Sequence, residues 1–257
     1  MNIRLKPCRF CGEVTAISSK SDAHRLLIAS ALSDRPTFIR CNARSADITA
    51  TVNCLNSLGA DIKFVDGGIS VKPIKEKRKS AVLDCNESGS TIRFLLPVAA
   101  SLGTNTEFTG GGRLPERPLS PLREQMDAHG VVFSPINVFP VKINGEMISG
   151  EFTIKGNISS QFITGHLFAL PLLNGNSIIN VIPPVESRPY IDMTLNTLKK
   201  FGITVTEKSN SFFIPGGQKY ASPGTVESEG DWSNSAFFLT AGAVSGRVTV
   251  TGLDVSS

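Results

Sequence analysis

An internal repeat of about 71 residues is the feature that most limits how this 257-residue chain can fold. Three segments share one plan, in which an amphipathic helix ends at a glycine and two short strands follow: CLNSLGADIKFVDGGISVKP, REQMDAHGVVFSPINVFPVKI and TLNTLKKFGITVTEKSNSFFIP. Their glycines, Gly59, Gly130 and Gly202, are 71 and 72 residues apart. Because glycine enters the left-handed region without Cβ strain, each is predicted to end its helix.

A second series of helices runs in phase with the first. Apolar helices are predicted to begin near Ser21, Ser90, Ser160 and Ser233, and a β-rich segment follows each of them. The repeating unit is therefore β-α-β-α-β-β. Because these helices are apolar on most faces, we expect them to lie inside, covered by sheets and by the amphipathic helices. The predicted fold class is α/β (α+β), built from repeated units with inner helices and outer sheets.

The fourth unit contains only its first elements. The strand GTVES, one helix and one more strand are present before the sequence reaches GLDVSS. A half-unit leaves an apolar helix without its partner. We therefore expect three units in one complete domain, the first part of a second domain, and a chain that is a piece of a longer protein. The alternative is a complete protein with a C-terminal αβ extension.

Polar clusters stand at the helix starts and in the loops beside them. Helix N-termini attract anions through free N–H groups and the positive dipole end, although serine also caps helices without a ligand. Additional cations favour anion binding, because arginine pairs with phosphate or carboxylate and lysine supplies a point charge. The clusters contain Lys20, Ser21 and Arg25; Gly89, Ser90 and Thr91; Arg117 between Pro115 and Pro118; Ser159, Ser160 and Gln161; and Ser187, Arg188 and Tyr190.

Composition limits the function only loosely. The net charge of +4 fits small anionic ligands as well as nucleic acid, and no apolar run is long enough to span a membrane, so we predict a cytoplasmic protein. The five cysteines are irregularly spaced, which disfavours a disulfide framework. Cys8 and Cys11 form a C-x-x-C without a second pair, which argues against a zinc or redox site. We expect no metal and no cofactor.

The residues alone do not define a reaction. Asp84, Glu87, Glu186 and Asp231 are candidate carboxylates, but no histidine or metal-ligand pattern accompanies them. A P-loop motif and a G-x-G-x-x-G after a strand are both missing from the sequence. The chain is therefore predicted to be a phosphate-binding α/β repeat protein.

Six motifs in order make the chain resemble the 5-enolpyruvylshikimate-3-phosphate (EPSP) synthases, or 3-phosphoshikimate 1-carboxyvinyltransferases, of the enolpyruvyl transferase family. The motifs are SKSDAHR, ESGSTIR, LPERPL, SSQF, ESRPYIDMTL and EGDWSNSAFF. The resemblance implies transfer of the enolpyruvyl group of phosphoenolpyruvate to the 5-hydroxyl of shikimate 3-phosphate, with release of phosphate, in aromatic amino-acid biosynthesis. It also implies that residues 1–18 belong to a second domain, that residues 19–229 form a complete three-repeat substrate-binding domain, and that residues 230–257 begin the second domain.

The resemblance also implies roles for individual residues. Shikimate 3-phosphate would contact Lys20, Ser21, Arg25, Ser159, Ser160, Gln161, Ser187 and Tyr190. Phosphoenolpyruvate would contact Lys20, Gly89, Arg117 and Gln161, and Lys20 would be the one catalytic residue present. The remaining catalytic groups of the family would lie beyond Ser257, so we expect this polypeptide to be inactive alone. We also expect a monomer that binds neither nucleic acid nor membranes.

One residue departs from the family pattern. Glu87 stands where the family usually has asparagine, two residues before Gly89. A carboxylate at this point repels an anion unless it is protonated or paired with a cation, so we expect Glu87→Asn to tighten phosphoenolpyruvate binding.

Three other functions were considered. The sister enzyme that acts on UDP-N-acetylglucosamine typically has asparagine after the early lysine and often a cysteine in the loop, whereas this chain has Ser21 and no cysteine between Gly110 and Leu122. An RNA-binding module would draw on KPIKEKRKS, which lacks interleaved aromatic residues and is better interpreted as a solvated linker. A non-catalytic binding domain is the third possibility.

Overall fold

The computed structural model describes residues 9–135 and 139–255, and within them the chain forms seven α-helices and fourteen strands. The helices are α1 (Lys20–Ala31), α2 (Ala46–Ser57), α3 (Gly89–Ser101), α4 (Leu122–Asp127), α5 (Ser160–Ala169), α6 (Arg188–Lys200) and α7 (Trp232–Ser245). The strands are β1 (Cys11–Thr15), β2 (Thr37–Arg40), β3 (Asp61–Val65), β4 (Gly68–Lys72), β5 (Ser80–Asp84), β6 (Asn105–Thr109), β7 (Val132–Ser134), β8 (Val141–Asn144), β9 (Glu151–Lys155), β10 (Ser177–Ile182), β11 (Thr206–Lys208), β12 (Ser211–Ile214), β13 (Thr225–Glu227) and β14 (Arg247–Thr251).

Three four-stranded sheets repeat one topology. Their strand orders are β13-β2-β4-β3, β5-β6-β8-β7 and β9-β10-β12-β11. In each sheet the first two strands are parallel and the last two join antiparallel to complete the layer. The predicted α/β class with repeated units is therefore confirmed.

One strand lies in a different unit from the predicted one. GTVES was assigned to the fourth unit, but β13 pairs with β2 of the first sheet, with Val226 opposite Ile39. Without β13 this edge of the first sheet would be unpaired, because no strand from the described residues before α1 lies beside β2. The strand that precedes α1, β1, instead pairs in parallel with β14, with Val14 opposite Val250. The assignment of GTVES was wrong.

The first helix of each of the three units is buried, as its apolar composition predicts. In α1 and α3 nearly every residue is inaccessible, and α5 packs directly against α3. Gly165 permits this close crossing, because a Cβ there would lie 2.4 Å from the carbonyl oxygen of Arg93. These helices form the core under the three sheets.

The second helices are amphipathic and end at the predicted glycines. Gly59, Gly130 and Gly202 all have positive φ angles, of 113°, 89° and 74°. The Gly59 N–H donates to the carbonyl of Asn56, which satisfies one of the terminal carbonyls of α2. The predicted glycine caps are confirmed.

The fourth apolar helix, α7, differs from its three counterparts. Ser235 is its only buried residue, and Phe237 and Val244 are 78% and 80% exposed. Its described neighbours are chiefly β14 and, through it, β1.

Two chain segments cross side by side between the β1–β14 sheet and the three-sheet body. The Ser19 N–H donates to the Glu229 carbonyl at 2.7 Å, and the Asp231 N–H donates to the Ile17 carbonyl at 2.8 Å. The carboxylate of Asp22, in the first turn of α1, accepts from the Glu229 N–H at 3.1 Å. This ladder fixes the start of α1 beside the start of α7.

No helix in residues 9–135 and 139–255 combines the length and apolar character needed to cross a membrane. Residues 1–8, including Cys8, and residues 256–257 lie outside the described residues, so the predicted C-x-x-C has only Cys11 inside them.

Candidate anion-binding site

A pocket of about 510 Å³ lies where the N-terminal ends of α1, α5 and α6 approach one another. Eight of the residues predicted for substrate binding line it: Lys20, Ser21, Arg25, Ser159, Ser160, Gln161, Ser187 and Tyr190. Residues from α3 and from the start of α7 complete the wall, including Ser90, Asp231 and Ser233. Residues more than 160 positions apart in sequence thus share one cavity.

Arg25 brings a buried positive charge to this pocket. Its side chain is 2% exposed and donates to the hydroxyl of Thr194 at 2.8 Å, to the carbonyl of Tyr190 at 2.8 Å and to the carbonyl of Ser21. All of these acceptors are neutral hydroxyl or carbonyl groups. Burial lowers the pKa of Arg25 to about 10, so the group remains charged at neutral pH. The charges of Asp22 and Glu229 oppose this lowering, and a guanidinium that is held in place by neutral acceptors is suited to bind an anion.

The charge nearest to Arg25 along the helix is Asp22. Burial raises the pKa of this carboxyl, while its hydrogen bond from the Glu229 N–H and the charges of Lys200 and Arg25 act in the opposite direction. Because Asp22 accepts hydrogen bonds from the crossover segment, it stabilises the crossover and leaves Arg25 without a hydrogen-bonded carboxylate.

Lys20 is the first residue of α1 and is partly engaged. Its ammonium lies 2.7 Å from the carboxylate of Asp47, and its side chain is 48% exposed. A surface ion pair of this kind contributes about 0–1 kcal/mol, so an anion in the pocket can compete with Asp47 for the ammonium.

Hydroxyl and amide groups from α5 form the opposite wall. Ser159 caps the helix by accepting from the Gln161 N–H at 3.2 Å, and Ser160 is the first helical residue. The Gln161 side chain is held at both ends: its amide nitrogen donates to Ser90 at 2.8 Å, and its oxygen accepts from Arg93 at 2.7 Å. The orientation of the amide is therefore determined by α3.

Ser187 adopts a backbone conformation that is uncommon for serine. It has φ 58° and ψ 34° at the start of α6, and its side chain does not cap the helix. A non-glycine residue in the left-handed region is strained, and strained residues of this kind are found most often at functional sites. Its hydroxyl is free of the capping role that Ser159 fulfils, and it lines the pocket beside Tyr190.

Gly89 and Arg117 lie together, but beside this pocket and not in its lining. A Cβ at Gly89 would be 2.6 Å from Arg117 Nη1, so only glycine permits this approach of the guanidinium. Arg117 lines a neighbouring cavity of about 200 Å³ that also contains Arg93. Arg93 connects the two sites, because it donates both to Gln161 and to the Pro118 carbonyl at 3.0 Å. Burial, and then the charge of Arg117, lower the pKa of Arg93.

Two charged residues that the sequence singled out do not line this pocket. Arg188 binds Glu207 in a bidentate pair at 2.6 and 2.7 Å and also contacts Asp192, so its guanidinium does not serve the pocket. Its pKa is raised and that of Glu207 is lowered by this pairing. Glu87 is exposed and points toward Gly112, where a Cβ would meet its carboxylate.

Residues that the sequence did not single out support the site. Thr164 and Thr194 hold Arg25, and Asp47 holds Lys20. Thr164 stands on an otherwise apolar buried helix, which is a weak signal for such a role. Thr194, on the amphipathic α6, and the pairing of Lys20 with Asp47 leave no such signal in the sequence. Within residues 9–135 and 139–255, no group of three or more metal-ligating side chains could hold a metal ion.

The fold and the pocket define an α/β repeat domain with a pocket lined by cations and hydroxyl groups, and comparison with known proteins narrows this class. The model of the family "EPSP synthase (3-phosphoshikimate 1-carboxyvinyltransferase)" matches residues 6–257. The chain therefore belongs to the EPSP synthase family. Of the three alternatives from the sequence, the sister enzyme and the RNA-binding module are not favoured.

Individual relatives agree with this family. The 3-phosphoshikimate 1-carboxyvinyltransferase of Brachyspira hyodysenteriae is 40% identical over 257 residues, which cover 99% of this chain and 60% of that protein. That of Clostridium acetobutylicum is 40% identical over 263 residues, covering 99% and 61%. This chain thus spans about 60% of the length of the curated relatives it matches. The structure of EPSP synthase from Acinetobacter baumannii has the same fold, with a TM-score of 0.81 at 21% identity over 96% of this chain and 56% of that chain.

Proposed function

We propose that this chain binds shikimate 3-phosphate and takes part in the transfer of the enolpyruvyl group from phosphoenolpyruvate to the 5-hydroxyl of that substrate, with release of phosphate. The observation that carries the proposal is the convergence of the family's motif residues on one pocket around the buried Arg25. The supporting relatives are named for this carboxyvinyl transfer.

In this proposal each side of the pocket has a distinct task. The phosphate of the substrate lies near Ser159 and Ser160, where free N–H groups of α5 and two hydroxyls favour an anion. Arg25 and Ser21 orient the substrate from α1, and Lys20 leaves Asp47 to bridge both substrates. Ser187 and Tyr190 bound the carbocycle from α6.

Phosphoenolpyruvate is proposed to bind on the α3 side. Gly89 and Arg117 lie against each other there, and Arg93 and Gln161 connect them to the shikimate side. Three arginines, Arg93, Arg117 and Arg123, line this small cavity together with one carboxylate, that of Glu116, so the excess of positive charge favours an anion. Gln161 would then contact both substrates.

We propose the following domain organisation. Residues 19–229 form the three-repeat substrate-binding domain, while residues 1–18 and 230–257 belong to a second domain. The pairing of β1 with β14, and the crossing segments around Ser19 and Glu229, support a division at these points.

The polypeptide by itself is expected to release no phosphate from the two substrates. The only carboxylate among the described residues lining the pocket is Asp231, and it already caps α7 by accepting from the Asn234 N–H at 2.8 Å. A carboxylate that serves as general acid or base needs a free carboxyl oxygen, and this carboxylate is already engaged at the helix start. Measurable phosphate release by the purified 257-residue chain would contradict this expectation.

A calorimetric titration with shikimate 3-phosphate tests the binding proposal. We expect saturable binding by the wild-type chain, no comparable binding of unphosphorylated shikimate, and a loss of about 100-fold or more in Arg25→Ala, since a buried charged partner is removed. Arg188→Ala is the matched control, because that guanidinium is turned to Glu207, and it should bind within about twofold of wild type. Equal binding of shikimate and its phosphate, or equal loss in both arginine variants, would refute the proposal.

We further propose a cytoplasmic monomer. Light scattering at several protein concentrations, with a constant mass of one chain expected, tests the oligomeric state.

A further inference from the structure

One buried histidine has no role in the proposed substrate contacts. His24 precedes Arg25 on α1, is 1% exposed and belongs to the wall of the pocket. Burial lowers its pKa to about 3, so the imidazole is neutral at physiological pH. Its Nε2 is buried and has no hydrogen-bond partner among the described residues.

The other ring nitrogen begins a chain of buried hydrogen bonds. His24 Nδ1 lies 2.8 Å from the hydroxyl of Thr51 on α2, and that hydroxyl lies 2.7 Å from the hydroxyl of Thr91 on α3. The Thr91 hydroxyl lies 2.7 Å from Ser88 Oγ, which is the N-cap of α3. These hydrogen bonds therefore connect α1, α2 and α3.

The direction of every proton in this chain follows from its last member. Thr91 donates its hydroxyl proton to Ser88, so it can only accept from Thr51. Thr51 therefore donates its only hydroxyl proton to Thr91, and its oxygen must accept a proton from His24. The proton of the neutral imidazole is consequently on Nδ1, and Nε2 carries a bare lone pair.

The last member of this chain of hydrogen bonds, Ser88, is connected to the side-chain amide of Gln161. Ser88 begins α3, and two residues of that helix, Ser90 and Arg93, hold the two ends of Gln161. A rotation or fraying of the first turn of α3 would therefore misplace the Gln161 side chain. His24 is connected to this amide although the two do not touch.

We propose that His24 is a positioning residue, whose Nδ1–H donates into the chain Thr51–Thr91–Ser88 and thereby holds the start of α3, and through it Gln161, in the binding orientation. The ligand in this statement rests on the proposed function, whereas the proton arrangement does not.

Nitrogen-15 NMR of the histidine-labelled chain tests the proton arrangement directly. His166 is an internal reference, because its Nδ1 lies 2.9 Å from the Phe162 carbonyl, which can only accept. We expect His24 to show the same Nδ1-protonated signature as His166 at pH 7, with its signals assigned by their loss in His24→Asn. A proton on Nε2 of His24 would overturn the proposal whatever the ligand.

Two substitutions at the same position separate positioning from packing. Asparagine places an amide N–H where Nδ1–H stood, whereas glutamine places its amide one atom further out.

A second pair of variants interrupts the hydrogen bonds at Thr51. Thr51→Val removes the hydroxyl with little change of side-chain volume, and Thr49→Val, at an exposed position on the same helix, is its control. Amide exchange of Thr91 reports the first turn of α3, and that of Ile179, in β10, reports global stability.

Shikimate 3-phosphate affinity should divide these variants into two groups. We expect about tenfold weaker binding and faster Thr91 exchange in His24→Gln and Thr51→Val, and wild-type binding within about twofold in His24→Asn and Thr49→Val. The change in Ile179 exchange measures the loss of global stability in each variant, and Thr91 exchange should exceed it only in His24→Gln and Thr51→Val. Equal behaviour of the asparagine and glutamine variants would refute a positioning role. If the wild-type chain binds no shikimate 3-phosphate, the proposed function fails, and the Thr91 exchange and the NMR signature still decide on His24.

Discussion

Helices α1 and α7 are counterparts in the repeat, yet their surroundings differ completely. Both begin after a polar N-cap, Ser19 or Asp231, and both are rich in apolar residues. Ten residues of α1 are buried, whereas α7 buries only Ser235. The difference shows that an apolar pattern defines what a helix can bury, while burial itself requires neighbours. Helix α1 contacts α2, α6 and two strands, and the described neighbours of α7 are few.

Truncation of one phenylalanine in a buried helix of the three-sheet body and of one in α7 should give the largest difference in stability. Phe168, in α5, is fully buried, and Phe237, in α7, is 78% exposed. We expect Phe168→Ala to lower the free energy of unfolding by about 3–5 kcal/mol and Phe237→Ala by under about 0.5 kcal/mol. Urea denaturation of both variants measures this. Comparable losses would mean that α7 is packed as tightly as the core.

Acid should destabilise the fold because two of its histidines, His24 and His166, are buried in the neutral form. The folded-state pKa values of His24 and His166 are about 3 and about 4, both lowered chiefly by burial, against about 6.5 in an unfolded chain. The unfolded state therefore binds more protons, and stability that is complete above pH 6.5 is lost as the pH falls toward the folded values. Between pH 7 and pH 5 each histidine should cost about 2 kcal/mol.

The slope of stability against pH checks this prediction. His166→Leu removes one titrating group, so the loss between pH 7 and pH 5 should shrink by about 2 kcal/mol. Phe237→Ala, in the exposed helix, should keep the wild-type slope. An unchanged slope in His166→Leu would show that His166 is not held neutral in the folded state.

The crossing of α3 and α5 offers a smaller test of close packing. A Cβ at Gly165 would meet the Arg93 carbonyl oxygen at 2.4 Å, while one at Gly111 would meet nothing within 4 Å. We expect Gly165→Ala to cost about 1–3 kcal/mol and Gly111→Ala to be nearly neutral, as thermal unfolding would show. A neutral Gly165→Ala would mean that the two helices separate at no cost.

The smallest expected effect concerns Glu87. Its exposed side chain lies over Gly112, close to the loop that carries Arg117, so its charge opposes an anion there through solvent. We expect Glu87→Asn to tighten phosphoenolpyruvate binding a few-fold, about 0.5–1 kcal/mol, in a polypeptide extended to the length of the curated relatives. Glu76→Asn, at an exposed position in the loop between β4 and β5, is the control. An unchanged or weaker dissociation constant in Glu87→Asn would refute the repulsion.

Local sequence predicted the parts of the fold and site that depend on local physics. Gly59, Gly130 and Gly202 end helices because their own backbone angles allow it. The helix starts were found within one residue because serine or aspartate caps them.

What escaped prediction depends on contacts between distant residues. Arg25 is held by Thr194, 169 residues away, and β13 joins a sheet whose other strands lie more than 150 residues earlier. Neither pairing has a local signal. The burial of His24 was missed for the same reason, since a histidine among apolar residues does not disclose which hydroxyls it will meet.

A crystal structure of the chain with shikimate 3-phosphate tests the central claim most directly, because it locates the phosphate. We expect the phosphate at the start of α5, within hydrogen-bond distance of Ser159 or Ser160, with Arg25 and Ser21 contacting the substrate and the Lys20–Asp47 pair opened. A phosphate in the smaller cavity between Arg93 and Arg117, with the pocket around Arg25 unchanged, would contradict it.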